Sequence, residues 1–270
     1  MEAVLDQLTA LRRHGECAAI RVQTLGGFQV WREEQLITAK EWGRDKTIQL
    51  FQFLVTARQR RGLHKEQIID RIWEDVDLKT GEQTFKVAMH GLNKVLEPHR
   101  AKRTEPRFIL RQGITYQLNL DDFWIDTDAL EAYIALGNQA VAIDKKGAIE
   151  AYRAAITLHH GVYLPNRLYE DWSSEERERI QVLTLGAMVT LGELILKDNP
   201  MESIRLAQKA LQIDHAWEDA YRIQMAAYFE RGNRPMVIKT FRQCEKVLEE
   251  EFGLQPLPET KQLYERVRNA

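Results

Sequence analysis

The stretch LHKEQIIDRIWEDVDLKTGEQTFKVAMHGLNKVL, residues 63–96, decides how the fold of this sequence is interpreted. Its first part carries isoleucines at helical spacing. Its second part carries an apolar stripe with steps of four, three and four: Phe85, Met89, Leu92 and Leu96. A polar connection joins the parts, and Thr80 followed by Gln83 has the spacing of a capping box. The stretch therefore predicts two amphipathic helices joined by a short turn.

Two helices joined in this way are typical of the helix-turn-helix unit, whose second helix can lie in the major groove of duplex DNA. A helical hairpin in any globular core has the same pattern, so this stretch alone leaves both interpretations open. The basic residues that follow favour DNA. They lie within a dozen positions: Arg100, Lys102, Arg103, Arg107 and Arg111.

A hairpin is predicted inside this basic run. Residues 108–111 and 115–118 have strand composition, and Gln112-Gly113 lies between them as a turn. Helix, helix and basic hairpin is the order of a winged helix-turn-helix domain. We expect helix 80–96 to enter the major groove and hairpin 107–118 to form the wing.

Charge divides the chain near residue 120. Residues 20–120 contain 18 lysines and arginines against 12 acids, whereas residues 121–270 contain 18 against 25. A basic half followed by an acidic half indicates that only the first half meets a polyanion. The charge change predicts domains at 1–19 (helix or linker), 20–120 and 121–270, and a fragment ending near Leu120 is expected to fold alone.

Composition excludes several classes of protein. Hydrophobic content of 44% and charged content of 29% are those of an ordinary globular protein. No apolar run reaches the roughly 18 residues that a membrane span needs. The first residues lack the apolar segment of a secretion signal. Two distant cysteines, Cys17 and Cys244, suit a reducing cytoplasm, with Cys244 as a small core residue.

The remainder of the first half predicts β-strands and one more helix. Residues 20–37 alternate as strands do around a turn at Gly26-Gly27, which lacks the surrounding motif of a phosphate-binding loop. Residues 44–57 fit a helix with a broad buried face.

The second half is predicted to be almost entirely helical, with internal repeats. Ile204, Ala207 and Ala210 recur 34 residues later as Ile238, Phe241 and Cys244. Prolines open the helices that carry these triplets. A period of 34 residues is that of tetratricopeptide (TPR) repeats.

No residue pattern indicates catalysis, a cofactor or a metal. His159-His160 is an adjacent pair without the spaced ligands of a metal site. Asp126 and Asp128 lack the glycine and distal glutamate of a calcium loop and are expected to cap a helix near Thr127. We therefore expect a protein that is not an enzyme.

With these motifs in hand, the chain resembles the SARP type of bacterial transcriptional activator, an OmpR-like winged helix followed by a bacterial transcriptional activator domain. The resemblance covers about residues 20–268. It rests on pieces in the family's order: 24–30, 42–46, 64–73, 113–118, 126–130, 163–177 and 248–260. It implies a mostly α fold with a small β part, a winged helix-turn-helix domain followed by an all-α TPR-like repeat domain.

One departure from the family pattern concerns the end of the second helix. The family usually carries an arginine-rich end there, where this chain has Leu92-Asn93-Lys94. The departure bears on base preference and affinity but not on the fold.

Candidate DNA contacts follow from the helical wheel and the basic run. Opposite the apolar stripe we expect base or phosphate contacts from Lys86, His90, Asn93 and Lys94. At the wing tip we expect contacts from Arg111, Gln112 and Thr115. Backbone contacts that set register are expected from Arg44, Lys46, Thr47, Lys65, Arg100, Lys102 and Arg103. The alternative is that these are solvated surface residues.

The sequence thus predicts a cytoplasmic, sequence-specific activator that binds double-stranded DNA. Its second domain is expected to mediate dimerisation, contact with RNA polymerase holoenzyme or sensing, without a membrane partner. Two alternatives stay open: a TPR-type protein interaction module, and the C-terminal part of a larger multidomain regulator.

Overall fold

The structure is a computed structural model that describes residues 2–60, 62–74 and 76–269. The chain divides into two compact units. The N-terminal unit comprises Ala10–Ala129 and His160–Glu178, and the helical unit comprises Met1–Thr9, Leu130–His159 and Arg179–Ala270. The segment 160–178 thus packs with the N-terminal unit, although it lies beyond the predicted division at residue 120.

Short strands and helices alternate in the first half, and helices follow one another in the second. The strands are β1 (Ile20–Gln23), β2 (Gln29–Arg32), β3 (Gln35–Leu36), β4 (Leu63–His64), β5 (Ile109–Gln112), β6 (Thr115–Leu118) and β7 (Phe123–Ile125). The helices of the first half are α1 (Glu2–Cys17), α2 (Ala39–Trp42), α3 (Asp45–Thr56), α4 (Lys65–Ile72) and α5 (Leu78–Leu96). Those of the second half are α6 (Asp126–Ala140), α7 (Lys145–Leu158), α8 (Ser174–Ile195), α9 (Pro200–Ile213), α10 (Glu218–Glu230), α11 (Arg234–Phe252) and α12 (Pro258–Asn269).

A four-stranded sheet of order β3-β2-β1-β7 opens the N-terminal unit. β1 pairs antiparallel with β2 and parallel with β7, so Val22 lies opposite both Val30 and Ile125. All three side chains are buried. The predicted alternation of residues 20–37 is confirmed, whereas β7 was not predicted because three residues are too few to show a period.

A second sheet of order β4-β6-β5 contains the predicted hairpin. β5 and β6 pair antiparallel, and β4 adds the pair Leu63 and Tyr116. The turn between β5 and β6 places Gly113 at φ 60°, a left-handed conformation that glycine adopts without strain. The strand–turn–strand pattern in the basic run is therefore confirmed.

Helices α4 and α5 form the predicted helical pair, and the inward stripe of α5 is confirmed. Phe85, Met89, Leu92 and Leu96 are all buried. The Phe85 ring meets the Tyr116 ring edge-on at 5.1 Å between centroids, which joins α5 to the hairpin.

The predicted capping box at Thr80 is wrong. Asp77 is the N-cap of α5, and its carboxylate accepts from the backbone N–H groups of Lys79 at 3.0 Å and Thr80 at 3.1 Å. The Thr80 hydroxyl also donates to Asp77. Aspartate is a strong N-cap, so α5 begins at Leu78 rather than at residue 80.

The segment 160–178 packs against the sheet end and α3. The backbone N–H of Leu164 donates to the Thr24 carbonyl at 2.9 Å, next to a β-bridge between Leu25 and Tyr163. Tyr163 is fully buried, and its hydroxyl lies 2.7 Å from that of Thr56. Tyr163 is therefore a core residue of the unit, while Trp172 is half-buried against Phe53.

Arg58, just beyond α3, is a buried guanidinium with several acceptors. It donates to Asp128, to the Thr127 hydroxyl at 3.0 Å and to Glu176 at 2.9 Å. Burial acts to lower the pKa of Arg58, but its hydrogen bond to Asp128 and the charges of Asp128 and Glu176 raise it overall. This arginine is therefore a structural ion-pair centre.

Asp126 ties the start of α6 to the sheet. Its buried carboxylate accepts from the Thr24 N–H at 2.7 Å, the Thr24 hydroxyl at 2.6 Å and the Leu25 N–H at 2.8 Å. Burial raises the pKa of Asp126, while these donors act against that shift.

The helical unit shows the predicted 34-residue repeat. Asn199 and Asn233, one period apart, are the N-caps of α9 and α11, and each helix has proline in its first two positions. Phe241 stacks on Tyr264 of α12 at 4.2 Å between ring centroids. Cys244 is fully buried, as predicted.

Among the described residues, no helix is long and apolar enough to cross a membrane.

Candidate nucleic-acid interface

The outward face of α5 carries three of the predicted groove contacts. Lys86, His90 and Lys94 are exposed and follow one another at intervals of four residues. Along the helix axis, Lys86 and Lys94 are about 12 Å apart. None of the three forms a hydrogen bond or ion pair with another described residue. They therefore form a row of nitrogen-bearing side chains open to an external partner.

Asn93 does not belong to this row, and its predicted exposed position is wrong. The residue is only 9% exposed, and its buried Oδ1 has no hydrogen-bond partner among the described residues. The reason is that the second half of α5 is covered over a wide arc. Helix α5 packs on α2, α3 and α4, and in its second half Leu92, Asn93, Val95 and Leu96 are all buried.

Thr47 is also inside the unit rather than on its surface. It is 3% exposed, and a Cβ placed on Gly91 of α5 would lie 3.2 Å from its hydroxyl oxygen. Gly91 therefore permits close approach of α3 and α5, which is a packing role. The sequence prediction had assigned that closeness to DNA.

Two predicted backbone-holding lysines are engaged within the protein. Lys46 donates to the Ile72 carbonyl at 2.6 Å and to Gln49 at 2.7 Å, and its ammonium lies over the Trp73 ring. Lys65 pairs with Glu82, and this hydrogen bond lowers the pKa of Glu82. Both lysines fix α4 against its neighbours. Arg44, in contrast, is exposed at the start of α3.

The basic residues that follow α5 also include both exposed side chains and one that is engaged within the protein. Lys102 and Arg103 are exposed in a turn where Arg103 has φ 71°. Arg100 is partly buried, with its guanidinium 3.8 Å from Glu97. Lys102 and Arg103 are therefore the freer cations beyond the helix end.

At the wing tip, two of three predicted side chains make local hydrogen bonds. Arg111 donates to the Gly113 carbonyl at 2.9 Å and lies over the Tyr116 ring, whereas the Thr115 hydroxyl donates to the Gln112 carbonyl at 2.9 Å. Gln112 is exposed. The Arg111 guanidinium is exposed as well, so the tip still presents positive charge.

Two exposed apolar residues on these surfaces were not among the predicted contacts. Val87 is 50% exposed beside Lys86, and Ile114 is 52% exposed at the wing tip. The signal for Val87 was its place opposite the apolar stripe of α5. An exposed valine on a groove-facing helix can pack against thymine methyl groups.

Within residues 2–60, 62–74 and 76–269, no group of three or more histidine, cysteine, aspartate or glutamate side chains could hold a metal ion.

Comparison with known proteins identifies the family and the fold. Residues 125–268 match the bacterial transcriptional activator domain. No curated protein sequence matches the chain.

Two solved structures give different degrees of likeness. Mycobacterium tuberculosis EmbR, solved in complex with a low-affinity phosphopeptide, superposes with a TM-score of 0.81 at 17% identity over 93% of this chain. This chain spans 65% of the EmbR chain. The complex of the TPR2AB domain of yeast Sti1 with pHSP90 covers 83% of this chain and 97% of its own at 14% identity, but its TM-score of 0.29 carries no argument.

Proposed function

This chain belongs to the SARP-type family of bacterial transcriptional activators, and on that premise we propose that it binds duplex DNA in a sequence-specific manner. In this proposal, α5 lies in the major groove and the β5–β6 hairpin acts as the wing. The observation that carries it is the row of Lys86, His90 and Lys94 on the outer face of the second helix of a helix-turn-helix. All three are exposed and make no hydrogen bond or ion pair with another described residue. The family is one of transcriptional regulators rather than enzymes.

Base reading is assigned to the outer face of α5. Lysine can donate to the guanine O6 and N7 acceptors, which makes Lys86 the leading base contact. His90 and Lys94 reach bases or the adjacent phosphates, and Val87 can meet thymine methyls. Asn93 and Thr47 leave the proposed set because they are buried.

Phosphate binding is assigned to cations around this face. Arg44, Lys102 and Arg103 are exposed and would contact phosphates without reading sequence. Arg111, Gln112 and Thr115 would place the wing against the minor groove or a phosphate. Lys46, Lys65 and Arg100 are engaged within the protein, so they contribute mainly to the local positive potential.

The helical unit is assigned to protein contacts, with RNA polymerase holoenzyme or a second copy of the chain as partner. This assignment rests on the family match of residues 125–268. The proposed place of action is the cytoplasm, where bacterial DNA and polymerase meet.

The decisive experiment is selection of binding sites from random duplexes, followed by affinity measurement over a range of salt concentrations. Each neutralised phosphate should contribute a log–log slope of about −0.9, so several contacts give a steep salt dependence. A slope near zero, or no enrichment of any sequence, would contradict DNA binding. That result would favour the alternative, in which the chain is a TPR-type protein interaction module.

A further inference from the structure

Helices α9 and α11 are equivalent helices one 34-residue period apart. Four pairs of positions, each separated by the period, are buried in both helices: Ser203 and Val237, Leu206 and Thr240, Ala207 and Phe241, Ala210 and Cys244. Because buried positions in α9 match buried positions in α11, the exposed positions of the two helices match as well.

Helices α9 and α11 share one neighbouring helix. Both helices pack against α10. Ile204 of α9, Tyr228 of α10 and Phe241 of α11 belong to one apolar cluster. The equivalent outward positions therefore belong to one surface of the helical unit.

Eight cations and amides on this surface form what we call the basic face. Its residues are all exposed: Arg205, Gln208, Lys209 and Gln212 on α9, and Lys239, Arg242, Gln243 and Lys246 on α11. The sequence around it is acidic, since residues 121–270 contain 25 acids against 18 lysines and arginines. The basic face is thus a positively charged region in a part of the chain that is acidic overall.

Four of the five cations of the basic face have no partner among the described residues, whereas Lys246 lies 3.8 Å from Glu250. Arg205, Lys209, Lys239 and Arg242 form no hydrogen bond or ion pair with any residue that the structure describes. On α7, by contrast, Arg153 is bound by Glu202 at 2.9 Å and by Glu150 at 3.2 Å. The charges on α9 and α11 are therefore available to a ligand.

We propose that the basic face binds a short acidic segment of a partner protein in extended conformation. Its carboxylates pair with Arg205, Lys209, Lys239 and Arg242, and its backbone amides hydrogen-bond with the glutamines between them. This site is separate from the proposed DNA contacts, and it does not depend on them.

The dimensions of the basic face favour a peptide over nucleic acid. Arg205 and Lys209 are one turn apart, about 6 Å along α9, and Lys239 and Arg242 are about 4.5 Å apart along α11. An extended peptide advances about 3.3 Å per residue, so about two residues span the pair of cations on each helix. A duplex would carry its further phosphates towards the exposed acids Glu249 and Glu250 of α11, which repel them.

The test uses the full chain and two fluorescein-labelled peptides, one alternating glutamate with glycine and the other glutamine with glycine. Fluorescence anisotropy at low salt should show binding of the glutamate peptide only. The double variant Arg205→Glu, Lys239→Glu should weaken that binding by about tenfold or more. The matched control is Lys197→Glu, Lys261→Glu, which changes net charge equally at exposed positions outside the basic face. Circular dichroism of both variants checks that each keeps its helix content.

Three outcomes overturn the proposal. The first is wild-type protein that does not distinguish the two peptides. The second is equal weakening in both double variants, which would mean that only net charge matters. The third is a random duplex that loses affinity in the basic-face variant and not in the control, which would assign the face to nucleic acid. If the neutral pair Lys209→Gln, Arg242→Gln also weakens the glutamate peptide by about threefold, pairing by these cations is supported.

Discussion

Helices α3 and α5 lie in the same unit and differ in what their polar side chains meet. Along α3 and the residue pair beyond it, the segment 160–178 supplies the partners: Arg167 for Asp45, Glu170 for Gln49, Tyr163 for Thr56 and Glu176 for Arg58. Along the outer face of α5, Lys86, His90 and Lys94 make no hydrogen bond or ion pair with another described residue, although the charge of Lys86 helps to lower the pKa of Glu82. The comparison teaches that a charged helix face indicates a ligand only when the rest of the chain leaves it uncovered.

Removal of the covering segment should have the largest effect. We expect a fragment of residues 10–129 to unfold or to lose cooperative melting, although the charge boundary predicted that a fragment ending near Leu120 would fold. The fragment lacks Tyr163 and Leu164, both fully buried, whose burial contributes roughly 1.5–3 kcal/mol each. Circular dichroism melting against a fragment of residues 10–178 measures the difference. Equal cooperative melting of both fragments would show that the segment is dispensable.

Substitution of the buried Arg58 should have the second-largest effect. Arg58→Met removes the guanidinium that pairs with Asp128 and Glu176, and loss of one partner from a buried pair costs about 3–5 kcal/mol of unfolding free energy. Urea denaturation measures this loss. Arg60→Met, two residues away and exposed, is the control and should change stability by less than about 0.5 kcal/mol. Similar losses of unfolding free energy in both variants would show that Arg58 stabilises the protein no more than an exposed arginine does.

Substitutions on the outer face of α5 should change DNA affinity rather than stability. Lys86→Ala should leave the unfolding free energy unchanged and should cost about 1–3 kcal/mol at the preferred DNA site, with relaxed preference at one base pair. Lys102→Ala should weaken all duplexes alike and flatten the salt slope by about one unit. Competition binding with specific and random duplexes separates these effects.

Asn93→Ala is the matched control on the same helix. Because Asn93 is buried, its replacement should leave the ratio of specific to random affinity unchanged. A changed ratio, with Lys86→Ala neutral, would mean that another side of α5 faces the groove.

The smallest effect is expected from one hydroxyl. Tyr163→Phe removes the hydrogen bond with Thr56, which should cost about 1 kcal/mol of unfolding free energy. Tyr169→Phe removes the same atom from a side chain that is 99% exposed and should cost nothing measurable. Urea denaturation of the pair tests whether the contact between α3 and segment 160–178 stabilises the unit.

The sequence by itself determined the order and type of the main elements. Apolar residues at helical spacing predicted the inward face of α5. Alternation predicted the strands of residues 20–37, and the 34-residue period predicted the equivalence of α9 and α11. These features follow from local periodicity, because the apolar residues of a buried face recur at a regular spacing within one segment. Two short strands, β4 and β7, were not predicted, because two or three residues outside a longer alternating stretch show no period.

Only the tertiary structure decided which polar residues are free. Arg58 and Glu176 are 118 positions apart, and no local pattern shows that they meet. Asn93 fits the outer side of an isolated helix, yet it is buried once α5 packs on its neighbours in the unit. Lys46 and Lys65 look like phosphate contacts in sequence but hold α4 in place. The physical reason is that burial and pairing are properties of neighbours in space, and neighbours distant in sequence are brought together only by the completed fold.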